Sequence, residues 1–338
     1  MKKRFVLSGY FGFKNFGDEA ILSVLVKKLQ ADGHRITIIS SDPQYTKKQF
    51  KHIRSVYTFK FQDIIGAIAK SNVLVSGGGS LLQDATSLKS LIYYLLIIFI
   101  GLFLKKKVII FAQGIGPIRS KFGQFLTKNI LKHCDYVSVR DEKSLQLLNS
   151  WGIKADLLCD PIFSTTTTEH SEKTNTLAIQ LRDFKTMNDD FIDRLAQKVV
   201  NDFSDKEIEI FSFQDTLDKE VCSKFEKAIK LLKPEIKTTL YTGLTNEEIV
   251  SKLAKAQFLI AMRFHAIIIG LISRVKVLSI NYDIKVEKIS KEFNIPMIDL
   301  NKEFANQFEE LKDENLDAID NIVKTKTFNW SGFENTVK

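Results

Sequence analysis

Short β-rich runs alternate with helical stretches along most of this 338-residue chain. In the first half the pattern predicts strands at 4–8, 35–40, 72–76, 107–112, 136–139 and 155–158, and helices at 18–31, 61–70, 86–104, 120–133 and 141–150. In the second half it predicts strands at 176–181, 207–213, 237–241, 258–262 and 276–280, and helices at 189–202, 215–231, 245–255, 264–272 and 283–293, with a final helix near 303–324. This order is typical of doubly wound parallel sheets, because a parallel strand requires a crossover helix that returns the chain.

A polar, Thr-rich stretch at 160–175 interrupts the alternation and predicts a linker. The chain is also too long for one ordinary hydrophobic core. We therefore expect an N-terminal Rossmann-like domain at 1–165 and a C-terminal Rossmann-like domain at 166–302. A C-terminal helix and tail at 303–338 would pack back on the first domain. Two such α/β domains facing a cleft would form a glycosyltransferase-B-like fold.

Composition indicates a globular protein that stays inside the cell. Hydrophobic residues make up 44% of the chain and charged residues 26%, as in ordinary soluble domains. The three cysteines lie far apart without metal-ligand spacing, which predicts reduced thiols in a cytoplasmic protein. The apolar run that follows the basic start is too short for the core of a signal peptide.

The net charge of +9 is concentrated in residues 1–60, which hold twelve Lys or Arg and four Asp or Glu. Such a bias is most often a solvated basic face, but it also attracts anionic partners such as a membrane surface or a diphosphate. The chain shows no RNA-binding motif of interleaved aromatic and basic residues, so we expect no nucleic-acid partner.

The segment 90–104 contains no charged residue and is followed by three lysines. Its fifteen residues fall short of the roughly twenty that a membrane-spanning helix needs. The segment predicts a buried helix. The alternative is a helix in peripheral contact with the inner membrane face, which the adjacent lysines would favour.

A glycine-rich turn follows the first strand and opens the first helix. Asn15, Asp18 and Glu19 stand at that helix start. The two acids are explained either by the positive end of the helix dipole or by hydrogen bonds to the hydroxyls of a sugar. Both interpretations remain open from the sequence.

A triple glycine follows the third predicted strand and contains Gly78 and Gly79, with Ser80 next and Asp84 shortly after. Such a run either leaves backbone amides for oxyanions or hydroxyls, or forms a tight turn that needs no side chains. Similar turns follow the next two strands, the second of them with Arg140.

In the second half, the apolar strand at 258–262 ends in Arg263, Phe264 and His265. Side chains just past the carboxyl end of a parallel strand point to the crevice where open α/β sheets bind ligands. Arginine can bind carboxylates and phosphates through two parallel hydrogen bonds, and histidine can carry a proton near neutral pH. The alternative is an arginine that caps the sheet edge beside a histidine satisfied in the core.

Seven strand ends in the two halves carry Gly, Arg, His or Asp and Lys groups at the same edge of the predicted sheets. If these residues were distributed at random, they would occur at both edges of the sheets. This convergence predicts a site at the carboxyl ends of the strands.

At these residues the chain resembles the polysaccharide pyruvyl transferase family, in particular its branch that acts on bacterial secondary-cell-wall polymers. The resemblance covers about four-fifths of the chain in consistent order, which is more specific than a single glycine loop. One departure is Phe264, where most relatives are expected to have Leu. The motifs that carry the resemblance are Asn15-Phe-Gly-Asp-Glu-Ala-Ile, Gly77-Gly-Gly-Ser-Leu-Leu-Gln-Asp, Ala112-Gln-Gly-Ile-Gly-Pro, Val139-Arg-Asp-Glu-Lys-Ser and Met262-Arg-Phe-His-Ala.

The resemblance implies an enzyme that transfers pyruvate from phosphoenolpyruvate to two hydroxyls of a sugar, forming a cyclic ketal. Phosphoenolpyruvate is then a co-substrate, and no cofactor or metal is implied. The acceptor in that branch is a lipid-linked saccharide diphosphate that carries N-acetylmannosamine.

The resemblance also distributes roles among the residues. Arg140, Arg263, Phe264 and Lys285 would bind the donor, and His265 would be the catalytic general acid. The first domain, at 1–165, would then be the acceptor side, and the second, at 166–302, the donor and catalytic side. The general base stays open between Asp18, Glu19 and Asp84. The predicted acceptor-binding residues are Asn15, Asp18, Glu19, Gly78, Gly79, Ser80 and Asp84.

Two other functions are alternatives to pyruvyl transfer. One is a glycosyltransferase of the same architecture that uses a nucleotide-sugar donor, for which Glu287 or Asp299 would be the acidic ribose partner. The other is a non-catalytic, membrane-peripheral protein that binds an anionic glycolipid and would tolerate loss of His265.

Overall fold

The computed structural model of the chain describes residues 2–165, 172–184 and 187–338. It divides into two compact α/β units. The first unit consists of Met1–Thr165 together with Thr327–Lys338, and the second unit of Thr166–Lys326. Residues 166–171 of the predicted linker lie outside the described residues.

The first unit contains a seven-stranded, fully parallel sheet. Val, Ile and Leu dominate its central strands because both faces of a doubly wound sheet are covered by helices. The strands are β1 (Arg4–Ser8), β2 (Arg35–Ser40), β3 (Arg54–Tyr57), β4 (Val73–Gly77), β5 (Lys107–Gln113), β6 (Tyr136–Val139) and β7 (Asp156–Leu157). Their order in the sheet is β3-β2-β1-β4-β5-β6-β7.

Six helices connect these strands. They are α1 (Phe16–Ala31), α2 (Pro43–Gln49), α3 (Phe61–Ala69), α4 (Leu88–Phe103), α5 (Lys121–Leu131) and α6 (Glu142–Ser150). The apolar segment predicted at 90–104 is thus the body of α4, which buries one side against the core. None of the helices in the described part of the chain is both long and apolar enough to cross a membrane.

The second unit repeats the arrangement with a six-stranded parallel sheet of order β10-β9-β8-β11-β12-β13. Its strands are β8 (Thr176–Gln180), β9 (Glu207–Phe211), β10 (Thr238–Tyr241), β11 (Phe258–Ala261), β12 (Lys276–Asn281) and β13 (Met297–Asp299). Its connecting helices are α7 (Asp189–Asp202), α8 (Asp215–Leu232), α9 (Asn246–Lys255), α10 (Phe264–Ile272) and α11 (Ile284–Phe293).

Helix α10 lies unusually close to this sheet. A Cβ atom placed on Gly270 would come within 2.7 Å of Val277 Cγ2 and 2.8 Å of Leu259 Cδ2, so only glycine permits this approach. The close packing fixes the amino-terminal turn of α10, which carries Phe264 and His265, at the end of β11.

The C-terminal segment differs from the single helix predicted near 303–324. It forms two helices, α12 (Gln307–Asp313) and α13 (Leu316–Thr325), followed by α14 (Ser331–Val337). The break falls at Glu314, whose Oε2 accepts a hydrogen bond from the Val277 amide at 2.7 Å. Glu314 thus ties the end of α12 to β12, and Asn315 caps α13 by accepting from the Asp317 and Ala318 amides, so two helices replace one continuous helix.

The last twelve residues belong to the first unit, whereas α12 and α13 belong to the second. Phe333 of α14 is buried with its ring 5.6 Å from that of Phe111 in β5. Lys28 of α1 forms a 2.6 Å ion pair with Glu334. The predicted segment 303–338 is therefore divided between the two units, and its tail returns to the first.

Both sheets reverse their strand order between the first and fourth strand of the unit. The reversal lies between β1 and β4 in the first unit and between β8 and β11 in the second. In open α/β sheets, ligands bind outside the carboxyl ends of the strands at such a switch point. The residues that follow these four strands are therefore the expected ligand-binding positions.

Candidate functional site

An acid, an amide and a glycine loop meet at the switch point of the first unit. Asn15 caps α1 and donates from Nδ2 to Asp18 Oδ2 at 2.8 Å. Asp18 Oδ1 accepts from the Gly79 amide at 2.8 Å. The predicted acceptor residues Asn15, Asp18 and Gly79 are thus brought together at the ends of β1 and β4.

Glu19 is oriented differently from its neighbour Asp18. It is 1% exposed, and its Oε1 accepts from the Gly12 amide at 2.6 Å. Its Oε2 is buried with no hydrogen-bond partner among the described residues. The pKa of the Glu19 carboxyl is raised to about 8. Burial is the main cause, the negative charge of Asp18 adds to it, and the hydrogen bond from the Gly12 amide partly offsets it. Glu19 therefore holds the loop after β1 mainly in its protonated form at neutral pH.

Several glycines of the strand-end turns permit close packing of the loops. A Cβ on Gly79 would lie 2.7 Å from Asp18 Oδ1. The Gly114 amide donates to the Gly79 carbonyl at 3.2 Å, and the Gly116 amide donates to the Leu82 carbonyl at 2.8 Å. Gly78 has φ of +107°, a backbone conformation that favours glycine.

The remaining predicted acceptor residues lie further along this edge. Ser80 lies beside Gly114, where an added Cβ would come within 2.4 Å of the serine Oγ. Asp84 accepts from the backbone amides of Arg119 and Ser120, each at 2.7 Å. These two hydrogen bonds lower the pKa of Asp84, and the bond from the Arg119 amide has the larger effect. Asp84 thus organises the turn before α5, and its assignment to the acceptor stays a prediction.

Arg140 follows β6 and pairs with a carboxylate that the sequence did not indicate. Its Nη1 donates to Asp160 Oδ2 at 2.5 Å, and both side chains are buried. The neighbouring Asp141 instead caps α6, accepting from the Ser144 amide at 2.9 Å. A local pair between Arg140 and Asp141 is therefore not formed. The donor-binding role of Arg140 stays a prediction.

In the second unit, Arg263 stands at the switch point in a buried ion pair. Its Nε and Nη2 donate to the two oxygens of Asp218 at 2.9 and 2.7 Å, and Asp218 is fully buried. Gln180 Oε1 accepts from the Arg263 amide at 2.8 Å. Within the described residues, none of these bonds uses Nη1 of Arg263. This end of the guanidinium keeps two N–H donors for an anion.

His265 is the second residue of α10, two residues after Arg263 in the chain. The imidazole is partly buried, and its centroid lies 5.2 Å from that of Phe264 in an edge-to-face arrangement. Lys285 lies in the first turn of α11 and is exposed, at the carboxyl end of the adjacent strand β12. The structure therefore places Arg263, Phe264, His265 and Lys285 at one edge of the second sheet.

Arg182 is a cation of this edge that the predicted site omitted. It lies two residues past the end of β8, and its amide approaches Met262 Sδ at 3.2 Å. Its Nη1 donates to Tyr282 Oη at 3.2 Å, and the guanidinium lies 5.4 Å from the centre of that ring. Among the residues that the structure describes, no carboxylate pairs with Arg182, and its buried Nε has no hydrogen-bond acceptor.

This arrangement favours an anionic ligand at Arg182, because a buried N–H without an acceptor costs free energy that a ligand oxygen would recover. The signal in the sequence was an arginine immediately after a buried strand. The nearby Lys185, part of the same run, lies outside the described residues.

The described residues contain no group of three or more His, Cys, Asp or Glu side chains that could hold a metal ion. The two acidic residues that could bind the ribose of a nucleotide-sugar donor each form an ion pair with a lysine. Glu287 accepts from Lys291 Nζ at 2.5 Å, and Asp299 lies 3.3 Å from Lys302 Nζ.

Comparison with known proteins identifies the family of the chain. A family model described as polysaccharide pyruvyl transferase matches residues 15–284, from the cap of α1 to the start of α11. The chain belongs to this family. It is therefore an enzyme of the pyruvate-transferring class. No significant match is found among curated proteins.

Solved structures similar to this pyruvyl transferase include UDP-GlcNAc 2-epimerase from Methanocaldococcus jannaschii, with a TM-score of 0.60 at 13% identity over 97% of this chain and 95% of the other. HepE from Anabaena in complex with UDP-glucose matches with a TM-score of 0.63 at 11% identity over 99% and 98%. UDP-GlcNAc 2-epimerase from Neisseria meningitidis bound to UDP-GlcNAc matches with a TM-score of 0.60 at 10% identity over 98% and 99%. At these identities the likeness shows the fold, which is glycosyltransferase-B-like as predicted.

The raised pKa of Glu19 predicts a pH dependence of stability. Between the ordinary carboxyl pKa of 4.5 and the folded value of about 8, the unfolded chain releases a proton that the folded enzyme retains. The free energy of unfolding should therefore fall as pH rises through this window, by about 1.4 kcal/mol per pH unit relative to Glu19→Gln. Chemical denaturation of both proteins at several pH values measures this difference.

Burial also raises the pKa of Glu314 to about 8. Glu314 is present in both the wild type and Glu19→Gln, so its contribution to the pH dependence cancels in the difference between their unfolding free energies. A difference in unfolding free energy that stays constant from acidic to mildly alkaline pH would show that Glu19 is charged in the folded enzyme.

Proposed function

We propose that this enzyme transfers pyruvate from phosphoenolpyruvate to two hydroxyls of a sugar in a surface-polysaccharide precursor, forming a cyclic ketal. The observation that carries the proposal is the family match, which spans the switch-point residues of both units. The proposed acceptor is a lipid-linked saccharide with an N-acetylmannosamine-type sugar. The proposal places phosphoenolpyruvate as a co-substrate and uses no further cofactor.

The donor is assigned to the second unit because its charge matches the cations there. Phosphoenolpyruvate carries a carboxylate and a phosphate, which arginine binds through paired N–H donors. Arg182 supplies a cation without a paired carboxylate among the described residues, and Arg263 supplies its Nη1 edge. Lys285 adds a third positive charge at the same edge. In this assignment Asp218 orients Arg263 and does not contact the donor.

The proposed reaction begins with protonation of the methylene carbon of phosphoenolpyruvate. His265 is assigned as the acid because it lies at the same edge as Arg263 and histidine is a common general acid in enzymes. The resulting oxocarbenium-like carbon is attacked by one sugar hydroxyl, the bond to phosphate breaks, and the second hydroxyl closes the ring. Of the two hydroxyl protons, one balances the new methyl group and the other leaves with phosphate as hydrogenphosphate.

Among the three acids considered as general base, Asp18 fits best. Its bonds to Asn15 and the Gly79 amide hold Asp18 at the ends of β1 and β4, the switch point at which open α/β sheets bind ligands. Glu19 is buried and mainly protonated at neutral pH, and Asp84 lies further along the edge, where it holds the turn before α5. We therefore assign Asp18 to the proton of the attacking hydroxyl.

Phosphate release tests the proposed reaction directly. The full chain with phosphoenolpyruvate and a lipid-linked sugar should release inorganic phosphate, and the product should gain the mass of pyruvate less one water. A parallel arm replaces phosphoenolpyruvate by UDP-sugars, the ligands of the structurally similar HepE and epimerase. Transfer of a sugar in that arm, with no phosphate release in the first, would establish the glycosyltransferase alternative instead.

Arg182→Met tests the donor side. This change removes the charge but keeps most of the side-chain volume, so the KM for phosphoenolpyruvate should rise roughly tenfold to a hundredfold, the usual value of a charge-assisted hydrogen bond. Steady-state kinetics of phosphate release provides the measurement. The control is Arg194→Met in α7, whose guanidinium pairs with the exposed Asp190 at 2.9 Å. Equal donor KM values for the two variants would remove Arg182 from the donor site.

Asp18→Asn and Glu19→Gln form a matched pair for the base. Each change keeps one accepting oxygen at its position, so Asp18→Asn retains one of the two hydrogen bonds that the Asp18 oxygens accept. Only Asp18 is assigned a proton-transfer role. Asp18→Asn should lower kcat by roughly a hundredfold or more with the donor KM retained, the usual contribution of a general base, whereas Glu19→Gln should retain kcat. The reverse pattern would transfer the role of base to Glu19.

A further inference from the structure

The first unit exposes an unusual concentration of large apolar side chains. Of the sixteen exposed large apolar side chains among the described residues, eleven lie at 57–65, on α4 or on α5. Single exposed apolar residues are ordinary, but a contiguous group marks a binding surface. We name the surface formed by residues 57–69, α4 and α5 the α3–α5 face.

Helix α4 carries the central stripe of this face. Leu88, Ile92, Leu96, Phe99 and Phe103 are exposed, and they recur every three or four residues, which places them along one side of the helix. The other side of α4 is buried in the core of the first unit. The helix is therefore apolar on both its core and its outer side.

Neighbouring helices extend the stripe on both sides. On one side, Phe61 at the start of α3 is exposed, and its ring centroid lies 6.1 Å from that of Tyr93 in α4. On the other, α5 lies so close to α4 that a Cβ on Gly123 would be 3.0 Å from Leu91 Cδ2. Its Phe122 and Phe125 are 57% and 63% exposed. The apolar surface thus continues across three adjacent helices.

Positive charge borders this surface. Residues 57–132 contain ten Lys or Arg and two Asp, with no Glu. Lys60 lies between the exposed Phe59 and Phe61, Lys89 follows Leu88, and Lys121 precedes Phe122. Neither aspartate is an uncompensated negative charge at the surface, because Asp63 pairs with Lys60 at 3.0 Å and Asp84 is bound by two backbone amides.

We propose that the α3–α5 face docks this enzyme on the surface of an anionic lipid bilayer. Exposed phenylalanine and leucine side chains would enter the boundary between headgroups and acyl chains, and the bordering lysines would contact lipid phosphates. A second copy of the chain fits less well, since a two-fold contact through this face would bring its basic border against the same border of the partner. The docking surface stands independently of the proposed reaction.

Vesicle co-sedimentation of the full chain tests the docking surface. The wild type should bind vesicles of phosphatidylglycerol and phosphatidylcholine, bind pure phosphatidylcholine vesicles weakly, and lose binding as salt is raised. Phe99→Gln with Phe103→Gln should lower the partition constant by about tenfold or more, because two exposed apolar anchors are removed. Lys89→Gln with Lys121→Gln should lower it about tenfold on anionic vesicles.

The second unit offers matched controls. Leu217→Gln with Leu231→Gln changes two exposed leucines of α8, and Lys219→Gln with Lys227→Gln changes two exposed lysines of the same helix. Both control pairs should bind vesicles as the wild type does. Thermal melts establish that all variants remain folded, which is expected because every changed side chain is exposed.

Three results would overturn the proposal. The first is absence of wild-type binding to anionic vesicles, and the second is equal binding by the phenylalanine variant and its leucine control. The third is a wild-type dimer in light scattering that the phenylalanine variant abolishes, without vesicle binding. That result would make the α3–α5 face a contact between copies of this chain.

Discussion

The buried pair of Arg263 and Asp218 is the interaction on which the second half of the site depends. A buried charge is tolerated only when it is paired and hydrogen-bonded, and removing one partner of such a pair costs about 3–5 kcal/mol. Asp218 meets this condition because it accepts two bonds from the guanidinium and two from the amides of Phe213 and Gln214. The pair holds the arginine rigidly at the end of β11 and leaves its Nη1 edge to a ligand. Arg140 and Asp160 form a similar buried pair in the first unit.

Much of the fold follows from the sequence because apolar strands and crossover helices alternate with clear periodicity. The two Rossmann-like sheets and the glycosyltransferase-B-like fold are confirmed. Helix α2 and strand β3 were not predicted, because the segment 43–57 is short and mostly polar, without a periodic apolar pattern. The break between α12 and α13 was not predicted either, since the hydrogen-bond partner of Glu314, the Val277 amide, is distant in the sequence.

The site was predictable in its location but not in its pairings. Strand ends in parallel sheets share one edge, so the positions of Asp18, Arg263 and His265 followed from the strand pattern. The partner of Arg263 lies 45 residues earlier in the chain and that of Arg140 twenty residues later, and no local pattern indicates either. Sequence spacing likewise cannot tell a glycine amide left for a ligand from one that bonds a neighbouring loop.

The central claim is that the carboxyl ends of β8 and β11 bind the phosphate and carboxylate of phosphoenolpyruvate. A crystal structure of the full chain with this donor tests it most directly. The account predicts donor oxygens within hydrogen-bond distance of Arg263 Nη1 and Arg182 Nε, with the Arg263–Asp218 pair intact. Donor bound elsewhere, with both of these N–H groups left without a ligand oxygen, would contradict it.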